Sequence, residues 1–258
     1  MIENNNQLEK YIDETLDKKY TYDGIISETD DSSISLFTHI DTQQKLLKIT
    51  SQNMNDDVFR AIKGRKNDNL PMIYEVCSAE GYFFVLEEYI DGNLLSDMLT
   101  DAPLDTQTAL KYFIDVCKAL SFLHSHSIVH RDIKPSNIII DKNDNAVLID
   151  LHAARLMSGA KRKDTKSLGT VGYAAPEQFG LYQSIPATDI YALGVLLNEM
   201  ILSIHPTLQT PKGLLGKIIN KCINVQISKR YLSINELMNA LRLYITLNPQ
   251  YKNLLKKF

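Results

Sequence analysis

The stretch Val129 to Arg155, "VHRDIKPSNIIIDKNDNAVLIDLHAAR", fixes two carboxylates, an ammonium and a carboxamide in a set order. Asp132 is followed by Lys134 and Asn137, and Asp150 stands thirteen residues beyond Asn137. Asp132 and Asn137 suit a loop that positions a hydroxyl nucleophile while the amide oxygen meets a cation. Asp150, preceded by the apolar "AVLI", supplies a second hard oxygen, and Mg²⁺ favours one or two protein oxygens completed by phosphate oxygens. Lys134 can neutralise charge on a transferring phosphoryl group. In-line phosphoryl transfer needs mainly positioning and charge neutralisation, which this set offers.

The rest of the chain predicts where that stretch sits. Its 258 residues suffice for one large domain or two small lobes with a core. From Tyr22 to Ile49 apolar pairs alternate with Ser, Thr and Asp clusters, a β-like pattern. A short helical stretch near Val58 to Ile62 follows, then the strands "PMIYEVC" and "YFFVLEEYI" and a break at "DGN". Beyond it the periodicity is helical over 107–125, 187–204, 213–223 and 233–246. The expectation is an α+β chain: a helical extension over 1–20 (Leu8, Tyr11, Ile12 and Leu16 on one face), a small, mostly β lobe over 21–90, and a larger, mostly α lobe over 91–258.

Composition narrows the function classes. A formal net charge of −3 gives no basic field for nucleic acid or an anionic membrane. The opening "MIENNNQLEKYIDETL" has no apolar signal region, and "IYALGVLLNEMILSI" is too short and too interrupted to span a bilayer. A cytoplasmic protein is expected. Cys117 and Cys222 fall on apolar helical faces and read as core, and Cys77 carries no special reading.

"HRDIKPSN" resembles the catalytic loop of eukaryotic-like protein kinases, H-R-D-x-K-x-x-N. "GTVGYAAPEQF", Gly169 to Phe179, resembles the end of a kinase activation segment, in a style typical of bacterial members. "TDIYALGVLLNEM" resembles the buried helix whose acid, here Asp189, caps the catalytic loop, and "SKRYLSINEL" offers Arg230 as partner of Glu177. The resemblance covers about residues 20 to 246 and implies a bilobal fold using ATP and Mg²⁺ to phosphorylate Ser/Thr of a protein substrate. By it Asp132 accepts the proton of the substrate hydroxyl, Lys134 contacts the γ-phosphate, and Asn137 and Asp150 bind Mg²⁺. Arg131 would read a phosphate on the activation loop, where Ser158, Thr165 and Ser167 are candidate autophosphorylation sites; Thr170 would line the substrate pocket. Autophosphorylation implies self-association or a regulatory partner.

The N-terminal part departs from the family. Its G-x-G-x-x-G loop becomes "SETDDS", so Ser27, Thr29 and Ser32 take the glycine positions, Ile34 follows, and Glu28, Asp30 and Asp31 add negative charge. Lys48, with Lys45 as the alternative, aligns with the strand lysine that holds phosphates, and Leu46 with the residue against adenine. The helix glutamate that should pair with the lysine becomes Val58, or Asp57 with a gap. Glu87 falls at the gatekeeper, Glu88 to Ile90 form the hinge, and Ile139 completes the expected nucleotide contacts. An ammonium in a cleft needs a counter-charge, so Glu87 is expected to pair with Lys48. "DLH" replaces D-F-G at 150–152, which should restrict movement of Asp150. An active Ser/Thr kinase is the expectation; the alternative is a pseudokinase that binds nucleotide or serves as a scaffold. A small-molecule kinase fits less well, because Lys134 and Ala-Pro-Glu resemble protein kinases specifically.

Overall fold

The computed structural model describes residues 18–52, 56–79, 82–157, 169–179 and 183–258. The expected helix over 8–16 and the candidate phosphorylation sites Ser158, Thr165 and Ser167 lie outside these residues. The chain forms two compact units, the first of residues 1–67 and 71–90, the second of 68–70 and 91–258. The α+β expectation holds: strands dominate the first unit and helices the second.

The first unit is built on a five-stranded antiparallel sheet. Its strands are β1 (Tyr20–Glu28), β2 (Ser32–His39), β3 (Lys45–Ser51), β4 (Ile73–Ala79) and β5 (Tyr82–Glu88), ordered β1-β2-β3-β5-β4. Directly opposed residues of an antiparallel ladder share a face, and neighbours along a strand alternate. Ile34 opposes Ile49, which opposes Val85; Leu36 opposes Leu47, which opposes Glu87. These share the face carrying Phe83, whose ring lies 5.4 Å from that of Phe59 on α1 (Asp57–Ile62). Val58, Phe59 and Ile62 of α1 are all buried. The opposite face gathers Phe37 and Phe84 with Tyr20, Cys77 and Leu86.

In the second unit α2 (Thr106–Ser125) starts where the Asp105 carboxylate accepts from the backbone amides of Gln107 and Thr108 at 2.9 and 3.1 Å. Such a cap satisfies amides that have no partner within the helix. Its face of Leu110, Phe113, Cys117, Leu120 and Leu123 is fully buried. α3 (Pro186–Leu202), α4 (Gly213–Cys222) and α5 (Ile234–Thr246) complete the main helices. α3 crosses α4 at Gly194, where a Cβ would stand 2.5 Å from that of Cys222, so only glycine permits the approach. Both Cys117 and Cys222 are core residues, as the sequence indicates, and burial pushes their thiols up out of the reactive range. Among the short strands, β6 (Gly92–Leu94) pairs with β8 (Ile138–Asp141) and β8 with β9 (Ala146–Leu148), while β7 (Ile128–Val129) pairs with β10 (Arg155–Leu156). They frame the loops that carry the polar residues.

Glu177 and Arg230 meet as the sequence resemblance implies. Both are buried, and the guanidinium donates twice to the carboxylate, at 2.7 and 2.8 Å. Arg230 also donates to the carbonyls of Ala187 and Asn224, and Thr188 donates to Glu177. Removing one partner strands the other's charge, typically at a cost of about 3–5 kcal/mol. Arg230→Met is therefore expected to lower the denaturation midpoint steeply, and Glu177→Leu added to it to recover part of the loss. Urea unfolding of the three variants checks this; equal stability of Arg230→Met and the parent would show that the pair does not hold this region.

Candidate active site

The loop between β7 and β8 carries Asp132, Lys134 and Asn137, and a single buried carboxylate shapes it. Asp189, in the first turn of α3, accepts from the backbone amides of His130 (2.9 Å) and Arg131 (2.8 Å) and meets His124 Nε2 at 2.8 Å. Burial opposes its charge, but the hydrogen bond and charge of His124 outweigh that and hold its pKa below the usual carboxylate range. Arg131 sits at φ +70°, a conformation that costs a non-glycine residue of order 1 kcal/mol. Its peptide is fixed at both ends, by Asp189 at the amide and by Gln178 Nε2 donating to its carbonyl at 2.8 Å. The buried His130 ring stays neutral, because burial lowers its pKa; its Nδ1 then accepts weakly from the Asp132 amide (3.4 Å) while Nε2 faces the Ile149 carbonyl (3.3 Å).

Around Asp132 the geometry closes into a triangle. Thr170 Oγ1 donates to Asp132 Oδ1 at 2.7 Å, Lys134 Nζ donates to the same Thr170 hydroxyl at 2.8 Å, and Lys134 lies 2.8 Å from Asp132 Oδ2. Asn137 Nδ2 donates to the carbonyl of Asp132 (2.8 Å) and to its Oδ2 (3.0 Å). Burial alone would raise the pKa of Asp132, but the bonds from Lys134, Thr170 and Asn137 lower it on balance. Asp132 is thus a charged, weak base, fit to orient a hydroxyl more than to strip its proton early. Thr170 is placed by Gly169 at φ +125°, where a Cβ would come within 2.8 Å of Gln178 Nε2 and 2.9 Å of Ala174 Cβ. Beside the triangle is a cavity of about 280 Å³ bordered by Leu99, Thr100, Lys134, Thr170, Tyr173 and Glu199.

Two oxygens remain for a cation. Asn137 is buried, and its amide nitrogen donates twice to Asp132, so its Oδ1 is the atom left to face a cation. Asp150 sits at φ +66°; its Oδ1 accepts from the backbone amide of His152 at 3.0 Å and meets His152 Nδ1 at 2.8 Å. Burial opposes ionisation of Asp150, but His152 holds its pKa down at about 2. Asp150 Oδ2 has no such partner among the described residues. A carboxylate and an amide oxygen are the donor set that Mg²⁺ takes alongside phosphate oxygens.

A family model, the protein kinase domain, matches residues 37–258. The chain belongs to the protein kinase family. It is 32% identical over 206 residues to serine/threonine-protein kinase D of Synechocystis, covering 71% of this chain and 40% of that protein. It is 35% identical over 127 residues to the serine/threonine-protein kinase PknB of Mycolicibacterium smegmatis (48% and 20%), and 32% identical over 165 residues to PrkC of Bacillus subtilis (61% and 26%). The chain thus spans less than half the length of these relatives.

Within that family, the first unit shows the register and burial of the residues that the sequence singled out. In the β3–β5 ladder Lys48 opposes Leu86, whereas Glu87 opposes Leu47. In this register Lys48 and Glu87 are diagonal neighbours across the two strands rather than a directly opposed pair. By the ladder register Leu46 and Lys48 share the face of Phe37 and Leu86, and both are buried. On the α1 face the strand carries Leu47 and Ile49, and the helix contributes the fully buried Val58; Asp57 is exposed. Val58, which the resemblance sets at the helix glutamate's position, is fully buried.

The polar turn also closes on itself. Thr29 N donates to the Ser32 carbonyl (2.8 Å), Ser32 N donates to Thr29 Oγ1 (3.2 Å), and the two hydroxyls lie 2.9 Å apart. Donors already used in this way are not on offer to phosphates. Ser27 is exposed on β1 opposite Ile34, which shares the α1 face. Glu88 accepts from the Met72 amide at 3.1 Å, and its own amide donates to the Met72 carbonyl; Ile90 and Ile139 are half-buried. The contact of His152 with Asp150 escaped the sequence reading, although a histidine two residues from a metal-type aspartate was its visible signal. For Lys48 the expected outcome is that Lys48→Met leaves ATP affinity within about twofold of the parent, since by register it shares the sheet face of Phe37 and Leu86. Isothermal titration calorimetry with a non-hydrolysable ATP analogue and Mg²⁺ checks this, and a tenfold loss would restore the family's lysine assignment.

Proposed function

We propose that the chain transfers the γ-phosphoryl group of ATP, with Mg²⁺, to serine or threonine hydroxyls of a protein. The observation that carries this reading is the closed Asp132–Lys134–Thr170 triangle, whose edges are 2.7 to 2.8 Å. Asp132 receives the hydroxyl of the acceptor and takes its proton as the new P–O bond forms and the bond from the γ-phosphorus to the β,γ-bridging oxygen breaks, releasing ADP. Lys134 is within reach of Asp132 and can donate to an oxygen of the migrating group, offsetting its charge. Thr170 holds both in place. Asp150 Oδ2 and Asn137 Oδ1 would hold Mg²⁺, which when bound neutralises phosphate charge. The cavity beside Lys134 and Thr170 gives an acceptor side chain room to approach. Relatives bearing the name serine/threonine-protein kinase support the choice of acceptor.

The alternative, a pseudokinase, draws on a specific observation too. The self-satisfied 29–32 turn and the buried Val58 at the helix-glutamate position depart from the family's usual phosphate anchors. The complete second-unit set favours transfer, because a scaffold has no use for a hydroxyl-orienting carboxylate held by three donors. Arg131, whose Nε donates to the Ala153 carbonyl at 2.6 Å, would answer to a phosphate on the 158–167 loop.

Incubation with labelled ATP and Mg²⁺, alone and with a generic basic protein, tests the reading. Transfer is expected, with phosphoserine or phosphothreonine in acid hydrolysates. Asp132→Asn should reduce it by at least about a hundredfold while leaving analogue affinity nearly unchanged. Equal transfer by parent and Asp132→Asn would sink the enzyme reading; analogue binding with no transfer by the parent would favour the pseudokinase.

If Arg131 reads a loop phosphate, phosphatase treatment should lower the rate, and mass spectrometry should find phosphate on Ser158, Thr165 or Ser167. Full activity from protein carrying no phosphate would end that part.

A further inference from the structure

Resting on the phosphoryl-transfer reading, we propose that His152 is a positioning residue for the metal-binding carboxylate: its ring and backbone amide together take one oxygen of Asp150 and present the other to the cation. Both donors converge on Oδ1, at 2.8 and 3.0 Å, so the carboxylate cannot rotate about its Cβ–Cγ bond without breaking both contacts. Oδ2 is left as the one oxygen of Asp150 without a hydrogen-bond partner among the described residues. A glycine in this place offers only the backbone donor.

The backbone explains why a side chain is tolerated. The left-handed conformation falls on Asp150, at φ +66°, while residue 152 is not among those with positive φ. Asp is among the residues that accept that region most readily. The histidine therefore carries no strain of its own. Its ring is about two-fifths exposed, at 39%, and is not a core element whose loss would collapse the fold. Leu151 between them is buried and anchors the segment, and the Ala154 amide closes a turn back onto its carbonyl at 3.0 Å.

The consequence is a carboxylate set by the chain before any cation arrives. Groups that orient a metal ligand typically change metal affinity by about 10- to 100-fold when removed.

The test measures cation binding directly. Free Mn²⁺ is followed by electron paramagnetic resonance while protein is titrated with Mn²⁺ and a non-hydrolysable ATP analogue. His152→Ala is expected to weaken Mn²⁺ binding about tenfold. His152→Asn, whose side-chain amide can donate to Oδ1, should stay within about threefold of the parent. Asp150→Ala should abolish analogue-dependent Mn²⁺ binding. Unchanged affinity in His152→Ala, with Asp150→Ala defective, overturns the positioning role alone. Equal loss in His152→Ala and His152→Asn overturns it as well, since donation to Oδ1 would not be what counts. Retained binding in Asp150→Ala would instead overturn the site assignment on which the proposal stands. Thermal melting of each variant identifies any that fails to fold, and the exposed His152→Asn remains decisive should His152→Ala do so.

Discussion

The carboxylate of Asp189 is the point on which the catalytic loop depends. It is fully buried, and a buried charge persists only where donors surround it. Two of those donors are consecutive backbone amides, of His130 and Arg131, so the chain must turn sharply over the carboxylate. That turn forces Arg131 to φ +70° and sends the following residue, Asp132, back toward Thr170. The position of Asp189 in the first turn of α3 helps, since the positive end of a helix favours negative charge. The energy that places the reactive carboxylate is thus spent on an acid that never meets a substrate.

The two units bear this chemistry unequally. The second supplies a complete set of oxygen and nitrogen groups, each with its supporting bonds. The first carries aliphatic side chains, Leu47 and Ile49, on the sheet face that bears Phe83, and Val58 is buried in α1.

What could be read from the sequence follows the range of the forces involved. The loop motif was legible because its residues act over a few positions, and Asp132, Lys134 and Asn137 come together through bonds within that span and to Thr170. Glu177 with Arg230, and Asp189 under the loop, were legible only through resemblance, since their partners are more than fifty residues away. In "KLLKITS" the facing of the strand was not legible. Leu46, Lys48 and Ile49 are all buried, so the alternation that would have fixed the faces is blurred. A one-residue slip moves every side chain to the other face, so a strand buried on both faces does not fix the facing of Lys48 from sequence. The self-closing turn was hidden for another reason: Ser and Thr hydroxyls can serve a phosphate or their own backbone equally well.

The occupancy of Asp132 bears on how an acceptor hydroxyl is received. A carboxylate has about four lone-pair positions. Oδ2 already accepts from Lys134 and Asn137, and Oδ1 from Thr170, which leaves one position on Oδ1. A hydroxyl that donates there is fixed in direction by the three bonds around it, and its oxygen is presented with a lone pair outward. The same three bonds lower the basicity of Asp132, so in the proposed transfer the proton would move late, once the hydroxyl had become acidic. Orientation and late proton acceptance are one property of this carboxylate seen twice, because the donors that aim it are the donors that weaken it as a base. Such a site favours a mechanism with a loose transition state, in which little nucleophilic push is required.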